Sequence, residues 1–177
     1  MMKSTSDRYG AVAVTLHWLS AFGILALLAT GFRAADAPDP AALLRLHVPL
    51  GIAVLALTVF RVVWWLALDR KPAPIANTLA GQERLARGVH LAFYIVLFGM
   101  FGSGIALMAM SGAGAVLFGG GPLPDFSAYG PRAPHGIGAM LLIALLIAHV
   151  AAALYHALIR RDAIFRRMWY GKGKRAD

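Results

Sequence analysis

The sequence predicts an all-α integral membrane protein, a four-helix transmembrane bundle with both termini on the cytoplasmic side. Three observations lead there. Of the 177 residues, 59% are hydrophobic and 14% charged, with positive mean hydropathy; a soluble domain is nearer half apolar and a quarter charged. Four apolar runs, Tyr9–Phe32, Leu46–Leu68 (broken only by Arg61), Gly88–Met110 and Ala133–Ile159, each exceed the roughly 20 residues that span a bilayer core as a helix. The cations, finally, are one-sided. Lys3, Arg8, Arg70, Lys71, Arg84, Arg87, Arg160, Arg161, Arg166, Arg167, Lys172, Lys174 and Arg175 fall on one side of the runs. Only Arg33, Arg45 and Arg132 fall on the other, and the side richer in Lys and Arg is the cytoplasmic one.

One membrane domain, 1–177, follows, with helices over about 9–32, 44–68, 88–110 and 133–160. The first run has features of a signal peptide: Lys3 and Arg8 precede it and Ala35-Asp36-Ala37 follows it. It is longer than the usual signal core and contains His17-Trp18, so it reads as a retained helix. A Pro/Ala-rich outer loop, Ala34–Leu44, leads to the second run. The inner stretch Asp69–Arg87 opens with Lys71-Pro72-Ala73-Pro74 and continues as an amphipathic lead-in, Leu79–Arg87, to the third. The outer loop Ser111–Pro131 carries Gly119-Gly120-Gly121-Pro122, with neither a preceding strand nor the Gly-Lys-Ser/Thr of a phosphate cradle; a flexible loop on the membrane surface is expected. The net charge of +9 reads as topology and contact with anionic lipid, not as nucleic-acid binding. With no cysteine, disulfides, iron–sulfur clusters and covalently attached haem are excluded.

All six histidines lie in the apolar runs, where an imidazole is costly unless it faces the bundle interior and has a partner. Counted from the charged boundaries, they form three level pairs. His47 and His135 lie two and three residues inside Arg45 and Arg132, near the outer surface. His17 and His149 lie nine and eleven residues inside Arg8 and Arg160, in the cytoplasmic half. His90 and His156 share the cytoplasmic interface. Residues 135 and 149 are close to four turns apart, on one face and separated by about 21 Å. Two imidazoles from facing helices can hold one haem iron, so the outer and inner pairs predict two haems stacked across the bilayer. His156 lies only about 10 Å beyond His149, too close for a third macrocycle; a quinone head group suits that level. Arg61, fourteen residues after His47 on the same face, stands near the inner pair, where a haem propionate would partner it; the alternative is snorkelling to head groups. Gly51, Gly102, Gly104, Gly136 and Gly138 leave room for a flat group or for close helix packing. A metal-ion transporter would add intramembrane carboxylates, and no span contains Asp or Glu.

The chain resembles the bacterial di-haem cytochrome b-561 type, which includes membrane superoxide oxidases. The resemblance runs from Arg8 to about Tyr170. It rests on Leu16-His17-Trp18, on Leu46-His47-Val48 with Gly51 and Phe60-Arg61, on His90-Leu91 with Tyr94, and on His135 followed by His149-Val150-Ala151-Ala152-Ala153-Leu154 and His156. It implies an inner haem b on His17 and His149, an outer one on His47 and His135, and electron flow between the periplasmic side and ubiquinone in the inner membrane.

The donor is read from charge. Arg33, Arg45 and Arg132 ring the outer end, and cationic rims raise the encounter rate of small anions. Superoxide is such an anion; otherwise these arginines only anchor helix ends at lipid phosphates. The expected activity is therefore superoxide:ubiquinone oxidoreductase, with His90 or His156 as proton donor to the quinone. The alternative is a cytochrome b relay for a soluble periplasmic redox partner.

Overall fold

The computed structural model describes residues 1–73, 80–162 and 164–170, and among them it is helical with no strand. Six helices follow in order: α1 (Ala11–Asp36), α2 (Ala41–Val63), α3 (Ala80–Ser111), α4 (Ala113–Gly119), α5 (Arg132–Leu154) and α6 (Ile164–Arg167). A wide π-type turn extends α2 over Trp64–Leu68 and another extends α5 over Tyr155–Arg160. Four helices are long and apolar enough to cross a membrane: α1, α2 with its extension, α3, and α5 with its extension. Most of their large apolar side chains, such as Phe22, Ile52, Ile95 and Ile147, face outward. Lipid is the solvent that makes this stable.

The chain builds two hairpins. α1 packs mainly on α2, and α3 on α5, while close backbone contacts between the hairpins are few. Glycine sets how near the partners lie. A Cβ on Gly23 would overlap Val54 Cγ2 at 2.6 Å, and one on Gly138 would meet Met100 Sδ at 2.5 Å; small residues are how membrane helices approach without a hydrophobic drive. The hairpins join through one apolar layer in which all four long helices take part: Ile24, Val54, Leu97 and Leu142. Ile24 is seven residues after His17, Val54 seven after His47, and Leu142 lies midway between His135 and His149. The layer therefore stands between the outer and inner histidine levels.

Residues 1–10 and 164–170 share one end of the bundle. Here Met1 and Met2 carbonyls accept from the amides of Ala11 and Val12, satisfying donors that the first turn of α1 cannot pair internally. Gly10 permits the fold-back, since a Cβ there would collide with the Met2 and Lys3 backbone. Asp69 accepts from the amide and hydroxyl of Ser4 and from Trp64 Nε1. The Trp18 indole donates to Met168 O at 2.9 Å, and Trp169 packs edge-on against Trp18.

Two features depart from the sequence reading. α3 begins about two turns before residue 88, because the lead-in is continuous with the span; its first residue, Leu79, lies outside the described residues, as do Pro74 and the tail from 171. The outer loop is also not simply flexible. Ala113 and Leu117 share one face of α4 and are fully buried, so this short helix, entered through left-handed Gly112 (φ 67°), closes the outer end. Arg45 secures it, its Nε donating to Leu117 O at 2.6 Å.

Candidate functional site

Four of the histidines meet across the gap between the hairpins. His47 of α2 faces His135 of α5, and His17 of α1 faces His149 of α5; the ring centres are 6.3 Å apart in both pairs. With metal–nitrogen bonds of about 2.0 Å and the half-width of an imidazole added on each side, two rings sharing one metal have centres about 6 Å apart. The interplanar angles, 75° and 52°, do not matter to that fit, because each ring can turn about its own metal–nitrogen axis. All four side chains are half-buried.

Hydrogen bonding settles which nitrogen is free in the outer pair. Thr30 Oγ1 donates its proton to Ala26 O at 2.8 Å, so its contact with His47 Nδ1 at 3.0 Å is an acceptor contact. Ser103 likewise donates to Met100 O, and that same carbonyl lies 3.1 Å from His135 Nδ1. A carbonyl can only accept, so Nδ1 of each ring carries the hydrogen and each Nε2 keeps its lone pair. Such outer partners fix tautomer and orientation in metal-bound imidazoles. Gly31 and Gly104 let the neighbouring helices close on these rings, for a Cβ would stand 3.1 Å from His47 Cε1 and 3.3 Å from His135 Cε1.

The inner pair is built differently. Arg61 Nη2 lies 3.4 Å from His17 Nδ1, placing the half-buried cation beside the inner pair as its spacing suggested. One turn further along α1, Ser20 is buried and its hydroxyl has no acceptor or donor. A group with its own polar atoms would complete it. Among the described residues no three His, Cys, Asp or Glu side chains gather as a metal cage; facing imidazole pairs suit a macrocycle that brings its own equatorial nitrogens. The residues present fit haem.

The third level is not a pair. The His90 ring packs edge-on against His149 at 5.7 Å and its Nδ1 donates to Ala86 O. His156 Nδ1 instead meets Asp162 Oδ2 at 2.5 Å. Depth counting placed these rings together because it assumed a regular helix to residue 160; the π-type turn over Tyr155–Arg160 changes the face on which His156 emerges. Asp162 itself was not visible in the sequence. It lies beyond the span and reaches back only because Arg161 adopts a left-handed conformation (φ 52°). Burial alone would raise the Asp162 pKa, but hydrogen bonds from His156 and the Ile164 amide, then the charges of His156 and Arg160, hold it below the usual carboxylate range.

The rim arginines are dispersed in role. Arg33 is exposed near the end of α1. Arg45, besides holding α4, lines an outward hollow of about 580 Å³ with Pro38, Asp39, Pro40 and Pro122. Arg132 lies over Gly136, its Nη1 3.1 Å from where a Cβ would stand, next to His135 in the chain. Thr30, Ser103 and the Met100 carbonyl were missed from sequence, because a hydroxyl or carbonyl one helix away carries no periodic signal.

Four membrane-crossing helices with facing imidazole pairs define a membrane electron-transfer cytochrome of the b type. The family model described as prokaryotic cytochrome b561 matches residues 8–171, and the chain belongs to that family. It is also similar to "Cytochrome b561 homolog 2" of Escherichia coli (strain K12), 27% identical over 181 residues that cover 93% of each chain. Members bind haem b and are multi-pass proteins of the inner membrane.

Proposed function

We propose that the protein carries two haem b groups, takes electrons from superoxide at the outer end and delivers them to ubiquinone at the end where Trp18 meets Trp169. The observation that supports this most is the repetition of one 6.3 Å imidazole spacing at two levels of the bundle. His47 and His135 would hold the outer group and His17 and His149 the inner one. A haem b so held supplies a one-electron centre that needs no proton to change state.

The chain's own residues do the rest. Thr30, Ser103 and Met100 O fix the outer imidazoles with Nε2 free. Arg61 sets a positive charge at the inner pair, in position to partner a propionate. The layer of Ile24, Val54, Leu97 and Leu142 excludes water between the two levels. Outside, Arg33, Arg45 and Arg132 attract a small anion, and α4 restricts what reaches the outer pair. At the opposite end, His90 and His156 are the proton-bearing groups beside which a quinone is reduced. The bias of Lys and Arg assigns that end to the cytoplasm.

A superoxide pulse applied to the purified oxidised protein tests the donor. The visible α-band should appear within milliseconds, and its decay should follow added ubiquinone analogue. A spectrum unmoved by superoxide but reduced by a soluble periplasmic redox protein would assign the chain to electron relay instead.

A further inference from the structure

Among the described residues His156 is the one histidine whose Nδ1 is held by a carboxylate, and the local backbone is bent to arrange it. α5 widens into a π-type turn at Tyr155–Arg160, Arg161 then turns left-handed, and the amide of Asp162 returns to the His156 carbonyl at 3.2 Å. Arg161 is the only residue other than glycine with positive φ among the described residues. Such strain persists where surrounding contacts over-determine it and concentrates at functional sites. Here several of those contacts converge on Asp162. Its Oδ2 meets His156 Nδ1 at 2.5 Å and Arg160 Nε at 4.0 Å, and its Oδ1 accepts from the Ile164 amide at 3.1 Å. Asp162 also forms part of the wall of a surface hollow of about 350 Å³, with Ala157, Arg161, Phe165 and Arg166. The same segment continues to Trp169, which packs on Trp18, the neighbour of His17. A surface recess, a carboxylate and an imidazole thus lie together at the end of the bundle that holds the inner pair.

We propose that Asp162 is a positioning residue for proton uptake, holding Nδ1–H of His156 so that Nε2 exchanges the proton needed for quinone reduction. This rests on the assignment of ubiquinone as acceptor at that end. Full reduction of a quinone takes two electrons and two protons and forms two O–H bonds. The electrons come from the transmembrane relay. For each proton, Nε2–H of the His156 imidazolium breaks as the O–H bond forms, and the ring returns to its neutral state with Nδ1–H still held by Asp162. Solvent water at this end of the bundle then returns a proton to Nε2. The carboxylate does two things: it selects the tautomer and it offsets the imidazolium charge. The second matters because the other charged groups around the dyad, Arg160, Arg161 and Arg166, are all cations.

The test uses the haem-loaded protein in detergent, with a short-chain ubiquinone analogue as oxidant of the dithionite-reduced form. Asp162→Asn and Asp162→Ser both keep an acceptor for the Ile164 amide, so the chain reversal is preserved; haem content and the reduced spectrum report folding. We expect the saturating reoxidation rate to fall at least about tenfold, part of the roughly 10²–10⁴-fold that a general acid contributes, with the half-saturating quinone concentration changed less than twofold. The loss should deepen as pH rises and free protons become scarce, and Asp162→Glu should restore most of the rate. His156→Gln combined with Asp162→Asn should be no slower than His156→Gln alone, because Asp162 acts through that ring. A wild-type saturating rate in both Asp162 variants, or a loss confined to half-saturation, overturns the proposal. So does a double variant slowed by the product of the single effects. If the unaltered protein itself is not reoxidised by the quinone, the acceptor assignment has failed instead.

Discussion

At the scale of single residues, the outer and inner imidazoles differ in what lies behind them, and the difference has a direction. His47 and His135 each give Nδ1–H to oxygen, which would make each ring a stronger electron donor to an iron held there and favour its oxidised state. His17 has the Arg61 cation beside it, which would disfavour the added charge of an oxidised iron held there. The outer centre should therefore have the lower potential, so that electrons run downhill toward the inner one. Thr30→Val should raise the outer potential and Arg61→Gln should lower the inner one. Each shift should be about 40 mV, for on the order of 1 kcal/mol of one-electron bias; spectro-electrochemical titration reads both. Haem count is a second check. A pyridine haemochrome assay should return two haems per chain, and His135→Leu should lose one while the inner spectrum persists. One haem in the intact protein would contradict the two-level assignment.

Helices and their joints are where close packing decides stability. Gly23 and Gly138 both sit at helix crossings, yet their neighbours differ in freedom. The atom facing Gly23 belongs to Val54, which is 1% exposed and stiff at χ1. The atom facing Gly138 is the sulfur of Met100, near the end of a flexible chain. Gly23→Ala should cost about 1–3 kcal/mol as overpacking and Gly138→Ala clearly less, read as thermal loss of the haem spectrum. A second joint, at the end of α2, depends on pH. Burial on its own would raise the Asp69 pKa, but the hydroxyl and amide of Ser4, the Arg70 amide and the Trp64 indole outweigh it and hold the pKa below its ordinary value. A depressed carboxylate stabilises the fold above its ordinary pKa and loses that contribution as pH falls through the depressed one. Proteolysis near Ser4 should therefore rise only in acid below the usual carboxylate range, and Asp69→Asn should make it high throughout. Cleavage that ignores both pH and the substitution would remove Asp69 as the tie.

For the molecule as a whole, charge and closure act together at the outer end. If Arg33, Arg45 and Arg132 steer superoxide, then Arg33→Gln with Arg132→Gln should slow the bimolecular reduction and flatten its dependence on salt, since exposed charges are screened over about 8–10 Å at physiological ionic strength. An unchanged rate and salt slope would leave these residues as lipid anchors. Arg45 is kept out of that pair because removing it also frees α4 from its tie at Leu117.

Much of this protein is legible one residue at a time. Hydrocarbon admits a backbone only when its hydrogen bonds close within the segment, so four uninterrupted apolar runs already require four helices, and the spacing of His135 and His149 already sets two levels on one face of α5. The pairings of His17 with His149 and His47 with His135 follow from depth, because depth in a membrane is a coordinate that the sequence carries. What depends on how the helices end and turn is not carried there. Which oxygen stands behind each Nδ1, that α4 folds over the outer end, and that His156 answers to Asp162 and not to His90 all arise from a widened helical turn, a left-handed residue and contacts between helices. Those are decided by packing between segments distant in the chain, and only the assembled bundle contains them.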